Sequence, residues 1–184
     1  IYNTTYYYIV RAVDSSNGIE ETNTTILSGV PTGPISVQNF NETFEAAGGF
    51  DNSGWTHQAL TGTVDWQWST AQSNTPTHSW FLASQSSISD RVFTTPSFSV
   101  LSNTTMSFYH TYDFEGSTSS CYDAGTLEYS TDGTNWVVIP DNFFTLGGFN
   151  GTVSSSYDNP IGGEKAWCGG TIGAMTQVSL NLGA

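Results

Sequence analysis

An all-β fold follows from three features of the sequence. Short runs of alternating apolar and polar residues recur along its 184 residues, with turns of Gly, Asn, Asp and Pro between them. Helical periodicity is nearly absent. Aromatic residues make up 14% and charged residues only 10% of the chain, whereas a disordered tail has few aromatics and much charge. The length admits one sizeable β-sandwich, or a small domain with an appendage.

Taken in order, the segment TYYYIVRAV alternates, so that Tyr6, Tyr8, Val10 and Ala12 face one way. Asn17-Gly18 reads as a tight hairpin turn and TNTTILSGV as the returning strand. VPTGP, residues 30–34, is a stiff linker with two prolines and a glycine. The expected division is therefore residues 1–30, a linker over 31–37, and a second domain over 38–184. Strand signals then recur in SVQNFNETFEA, DWQWSTA, THSWFLAS, RVFTTPSFSV, TTMSFYHTYDFE, GTLEYSTDGTNWVVI and QVSLNL. Asp132-Gly133 marks a second hairpin. About eight short strands without helices predict a two-sheet sandwich, most simply a jelly roll.

Lys and Arg number 3 against 16 Asp and Glu, a formal net charge of −13. Such a field repels phosphate backbones and anionic lipid, which argues against nucleic-acid and membrane-surface binding. It attracts hard cations, of which Ca²⁺ is the abundant one outside cells. No apolar run approaches the roughly 20 residues a membrane helix needs. The first residues, IYNTTYYY, lack the basic start and apolar core of a signal peptide, so an exported chain is expected to begin downstream of its original start.

Cys121 and Cys168 are the two cysteines, in the turn-rich segments SSCYDAG and AWCGG. Without C-x-x-C or spaced histidines a zinc site is disfavoured. Two separate buried thiols are one reading. A disulfide is the reading favoured in an extracellular setting, where it stabilises by about 4 kcal/mol in the chain-entropy estimate. Sequons for N-glycosylation occur at Asn3, Asn23, Asn41, Asn103 and Asn150.

The spacing T-x-Y-x-Y-x-V-x-A from Thr4 to Ala12 resembles the last two strands of a fibronectin type III domain, with Tyr6 at the position of that family's tyrosine corner. About 30 residues precede the linker, where such a domain has roughly 90 to 100. From residue 38 onward the chain resembles the MAM-like jelly-roll modules of secreted bacterial proteins such as the immune-inhibitor-A type of metalloprotease. The phrases that carry this are HSWF, FTTPSFSV, MSFYHTYDFE, CYDAGTLEYSTDGTNW and AWCGG. Ala124 and Cys168 depart from the family, which usually has Gly and Ser there. Such modules also continue through one or two further strands, so the resemblance implies an open sheet edge.

Candidate chemistry centres on carboxylates. Asp113, Glu115 and Asp123 form one group and Glu42, Glu45 and Asp51 another, with Asp113 and Glu115 expected on one strand face. Convergent carboxylates without a basic neighbour call for a cation. The resemblance to calcium-stabilised jelly rolls points the same way, and Glu45, Glu115 and Asp123 are the expected Ca²⁺ ligands; solvated turn carboxylates are the bland alternative. A glycosidase pair is the other use of two acids, but the E-x-D-x-x-E signature of jelly-roll glucanases is absent. So are H-E-x-x-H, G-x-S-x-G and a phosphate-binding loop. STDGTNW falls one residue short of a sialidase Asp-box and reads as a plain hairpin. In DWQW, Trp66 and Trp68 share a strand face, where they either stack sugar rings or, more commonly, fill the core.

These readings lead to the expectation of a non-catalytic, extracellular structural or adhesive module of a larger surface protein, associating with itself or with neighbouring domains and extending to a fibre. A carbohydrate-binding accessory, or a non-catalytic piece of a secreted metalloprotease or glycosidase, are the alternatives. No catalytic residue is expected.

Overall fold

A computed structural model of the chain describes residues 4–30 and 40–183. The chain divides into two compact units, residues 1–36 with 97–99 and residues 37–96 with 100–184. The linker and Asn3 lie outside the described residues. Among those described there is no α-helix, only one 3₁₀ turn at Asp141–Phe143.

The first unit is a hairpin. Strand β1 (Tyr6–Tyr8) pairs antiparallel with β2 (Leu27–Gly29), Tyr7 opposite Ser28. The turn is wider than the two residues Asn17-Gly18 suggest. Asp14 N–H donates to Ile19 C=O and Gly18 N–H to Asp14 C=O, with Gly18 in the left-handed region at φ 73°. The carboxylate of Asp14 accepts from Ser16 and Asn17, fastening the loop from inside. Tyr6, Tyr7, Tyr8, Ile9, Val10 and Val13 are all exposed, Tyr7 by 73%.

The second unit is built from short antiparallel ladders in an all-β, sandwich-like arrangement. In chain order its strands are β3 (Thr56–Thr61), β4 (Gln67–Ser69), β5 (Ser79–Phe81), β6 (Asp90–Thr94), β7 (Thr105–His110), β8 (Gly116–Ser117), β9 (Ser120–Cys121) and β10 (Ala124–Gly125). After these come β11 (Glu128–Tyr129), β12 (Val137–Val138), β13 (Phe144–Leu146), β14 (Gly151–Thr152), β15 (Lys165–Cys168) and β16 (Thr176–Asn181). Two sheets have three strands, β13–β16–β7 and β10–β15–β14; β3–β6, β4–β5, β8–β9 and β11–β12 are pairs.

Three expected elements change. SVQNFNETFEA predicts a strand, but its described part is a loop. The Glu42 carboxylate accepts from Phe44, Asp51 and Asn52 backbone N–H groups, and Asp51 accepts from Thr43 and Ala46. These bonds give the backbone an alternative to a ladder, and Phe44 is held at φ 62°. In TTMSFYHTYDFE the strand stops at His110, and Asp113 makes only an isolated bridge to Gly170. Asp113 and Glu115 therefore lie past the strand that was expected to align them. AWCGG, read as a turn, contributes Ala166–Cys168 to β15, the most buried strand. The glycines after it make the turn: at Gly170, φ 96°, a Cβ would stand 2.5 Å from the Tyr112 carbonyl oxygen.

Strand β15 sets the core because both its faces are covered. Ala166 and Cys168 join Cys121 and Val153 in one buried cluster, while Trp167 joins Ile139, Val178 and Leu180 in the other. The Trp167 indole N–H donates to the Gly147 and Gly148 carbonyls, so its ring is buried without an orphaned donor. Cys121 and Cys168 stand at disulfide distance, their Cα atoms 5.4 Å apart.

Candidate functional site

The densest set of polar and aromatic side chains lies where the loop of residues 40–55 meets β3, β4, β5 and β6. Phe93 of β6 is its hub, with ring centroids 5.3 Å from Trp55, 5.2 Å from Trp66 and 5.4 Å from Trp80. Phe50 stacks on Trp80 at 4.7 Å. Aromatic pairs of this kind contribute about 0.5–1.5 kcal/mol each beyond burial. Trp80 donates its indole N–H to the Gly49 carbonyl at 3.0 Å. Gly49, at φ 88°, permits that approach, since a Cβ there would lie 2.7 Å from the Trp80 ring.

Two histidine–carboxylate pairs flank this cluster. His78 Nδ1 lies 2.8 Å from Glu45 Oε2, and the His78 ring stacks on Trp68 at 4.1 Å. Glu45 also accepts the backbone N–H groups of Thr77 and His78 and the Thr77 hydroxyl. The Thr77 hydroxyl and then the His78 side chain draw its pKa down to about 2. On the other flank His57 Nδ1 lies 3.0 Å from Asp65 Oδ2, with the His57 ring 4.7 Å from Trp80. Burial works to raise the Asp65 carboxyl, but the Trp66 N–H and His57 outweigh it and hold it below the usual range. Neither pair shows in the sequence as a motif. Their members are 8 and 33 residues apart, and Glu45 was read only as a cation ligand.

The expected calcium ligands do not meet. Among the described residues no three His, Cys, Asp or Glu side chains form a group able to hold a metal ion. Glu45 is engaged by donors on both oxygens, which is the environment of an anion acceptor and not of a cation ligand. Glu115 and Asp123 are neighbours through the backbone, the Glu115 carbonyl accepting from the N–H groups of Tyr122 and Asp123. Glu45, Glu115 and Asp123 are thus not gathered into one group among the described residues. Elsewhere the Glu128 carboxyl has its pKa raised by burial and then by the charges of Asp90 and Glu164.

Trp66 and Trp68 are brought into this region, chiefly against protein partners. Trp66 is half-buried on Phe93, while Trp68, 37% exposed, donates its N–H to the Phe44 carbonyl at 2.7 Å. An aromatic pair absent from the sequence reading lies elsewhere, near the cysteines. Tyr122 and Tyr157 meet edge to face at 5.8 Å and are 40% and 77% exposed. Tyr157 and Asp158 both adopt the left-handed conformation, φ 65° and 54°, which side chains other than glycine rarely do.

The described sequons differ in accessibility. Asn41 and Asn103 are exposed. Asn23 donates to the Val10 carbonyl, and Asn150 donates to the Tyr112 hydroxyl and Cys168 carbonyl while accepting the Cys168 N–H. A glycan on Asn150 would replace one of its two Nδ2 hydrogens and so remove one of these donated bonds. No family model, curated protein or solved structure matches this chain. Among the described residues no helix is long and apolar enough to cross a membrane.

Proposed function

We propose that this chain is a non-catalytic structural or adhesive β-module of a larger extracellular protein, working through contacts with itself or with neighbouring domains. The observation that carries this reading is the hairpin of residues 4–30, which keeps its large apolar side chains exposed on both sides. A two-stranded hairpin in water is marginal on its own and gains stability when a further strand or face covers it. Such a surface suits a module that operates in contact. The cysteine pair at disulfide distance supports an extracellular placement. The excess of carboxylates supports protein or glycan partners over nucleic acid.

The test is hydrogen exchange on the full chain across a concentration series, alongside a panel of peptide and glycan substrates. Amides of β1 and β2 are expected to exchange fast in the dilute monomer and to become protected on association. Strong protection at high dilution would overturn the contact reading. Turnover abolished by a single substitution would overturn the non-catalytic one.

A second reading, glycan binding, is favoured by the exposed Tyr122–Tyr157 pair and the strained loop beneath it. Strain of this kind is retained where it positions a side chain. Glycan-array binding lost in Tyr157→Ala, with the fold intact, would support it; no binding by the unaltered chain would remove it.

A further inference from the structure

The sheet β13–β16–β7 ends at β7, which pairs with no further strand among the described residues. Its ladder with β16 is regular over six pairs, from Thr176 opposite His110 to Asn181 opposite Thr105, with no bulge. Leu182 N–H donates to the Thr104 carbonyl at 2.8 Å and continues the same ladder. In an antiparallel pair, alternate residues exchange both backbone bonds with the partner while the residues between them turn both groups away. Thr104 therefore fixes the phase: Met106, Phe108 and His110 bond to β16. Thr105, Ser107 and Tyr109 direct three N–H and three C=O groups outward. The side chains of these three residues are exposed as well.

Edges of this kind are usually protected by charge, proline, a bulge or a covering element. Here β7 carries no proline and no bulge. The sequence has no Asp, Glu, Lys or Arg from Val92 to Tyr112, although the whole chain carries −13. The edge strand itself therefore sets no carboxylate against its counterpart in a second copy. It is also self-complementary: placing a two-fold axis at Ser107 sets Thr105 against Tyr109 and Ser107 against Ser107, and every outward group finds a partner.

We propose that the β7 edge is a strand-addition site whose occupant is β7 of a second copy, antiparallel, in register about Ser107. This rests on the self-association in the functional reading above and names its surface. The contact is isologous and closes on itself as a dimer, so a fibre needs a second, different contact.

Sedimentation of the full chain over a concentration series tests it. The unaltered chain is expected to dimerise. Ser107→Pro removes one outward donor per copy and no bond to β16, and two lost hydrogen bonds weaken the dimer by about tenfold or more. Ser107→Lys/Tyr109→Lys, which places like charges on the edge, is expected to do the same if proline perturbs the strand. Ser107→Cys should cross-link between copies under mild oxidation, while Tyr109→Cys, facing Thr105 of the other copy, should not. A chain monomeric at every concentration, an assembly indifferent to both edge variants, or equal cross-linking at positions 107 and 109 would overturn the proposal. The outcome is separable from the hairpin reading, because exchange in residues 4–30 is followed independently of position 107.

Discussion

Breaking the Cys121–Cys168 link is expected to cost this chain about 4 kcal/mol. The two residues are 47 apart in sequence. The chain-entropy relation, about 2.1 + 1.5R ln n cal/mol/K, then gives ~4 kcal/mol at 25 °C for that loop. For a chain of this size each kcal/mol moves the melting temperature by about 2–4 °C, so a fall of about 8–16 °C is expected. Both cysteines are buried, Cys168 completely, against Val153 and Ala166. Reduction and substitution are therefore not equivalent. Reduced wild type keeps its sulfur atoms in place and loses only the constraint, whereas Cys121→Ala/Cys168→Ala also leaves a cavity and should melt lower still. The assay is thermal unfolding of wild type with and without reductant beside the double variant, with peptide mapping of the unreduced protein. Identical melting with and without reductant, or alkylation of both cysteines without reduction, would refute the reasoning.

Leu180→Ala, on the buried face of β16 and 1% exposed, is expected to lose about 2–5 kcal/mol by denaturant unfolding, with Ser179→Ala nearly neutral beside it. Asn150→Ala leaves the Cys168 backbone N–H and C=O without their side-chain partners, and about 1–3 kcal/mol should be lost. Glu45 has its pKa lowered from 4.5 to about 2. Its contribution is therefore complete above about pH 4.5 and lost as pH falls towards 2. Glu45→Gln should flatten that acid limb of the stability profile, measured as denaturation midpoint against pH, and an unchanged limb would count against the Thr77 and His78 bonds.

How legible the fold was depended on which faces were buried. QVSLNL and MSFYH sit in a sheet with one covered face, so β16 and β7 alternate in sequence as they do in space. Strand β15 has both faces covered and shows no alternation, so its Ala-Trp-Cys run looked like a turn. In the loop of residues 40–55 the aromatic spacing suggested a strand, and the Glu42 and Asp51 carboxylates decided otherwise by capturing backbone N–H groups. Pairings across long separations were beyond pattern: His78 with Glu45 depends on β4 and β5 folding beside the loop. The cysteines were an exception, because two cysteines leave one pairing to consider. The local partners of the carboxylates were not legible either: Glu42, Glu45 and Asp51 each accept from N–H or O–H donors that spacing alone does not bring near them.

That outcome changes what the net charge does. Carboxylates satisfied locally still carry their charge, and at −13 two copies repel wherever their acidic surfaces face one another. The repulsion is long-ranged at low salt and confined to about 8 Å at physiological ionic strength. Backbone pairing along an uncharged edge is short-ranged and draws nothing from that field. Salt should therefore relieve the repulsion without touching the bonds, and dimerisation through β7 should tighten as ionic strength rises. Association driven by opposite charges would weaken instead. Sedimentation of the full chain at low and physiological salt separates the two, since an affinity that falls with salt is incompatible with a neutral edge as the contact.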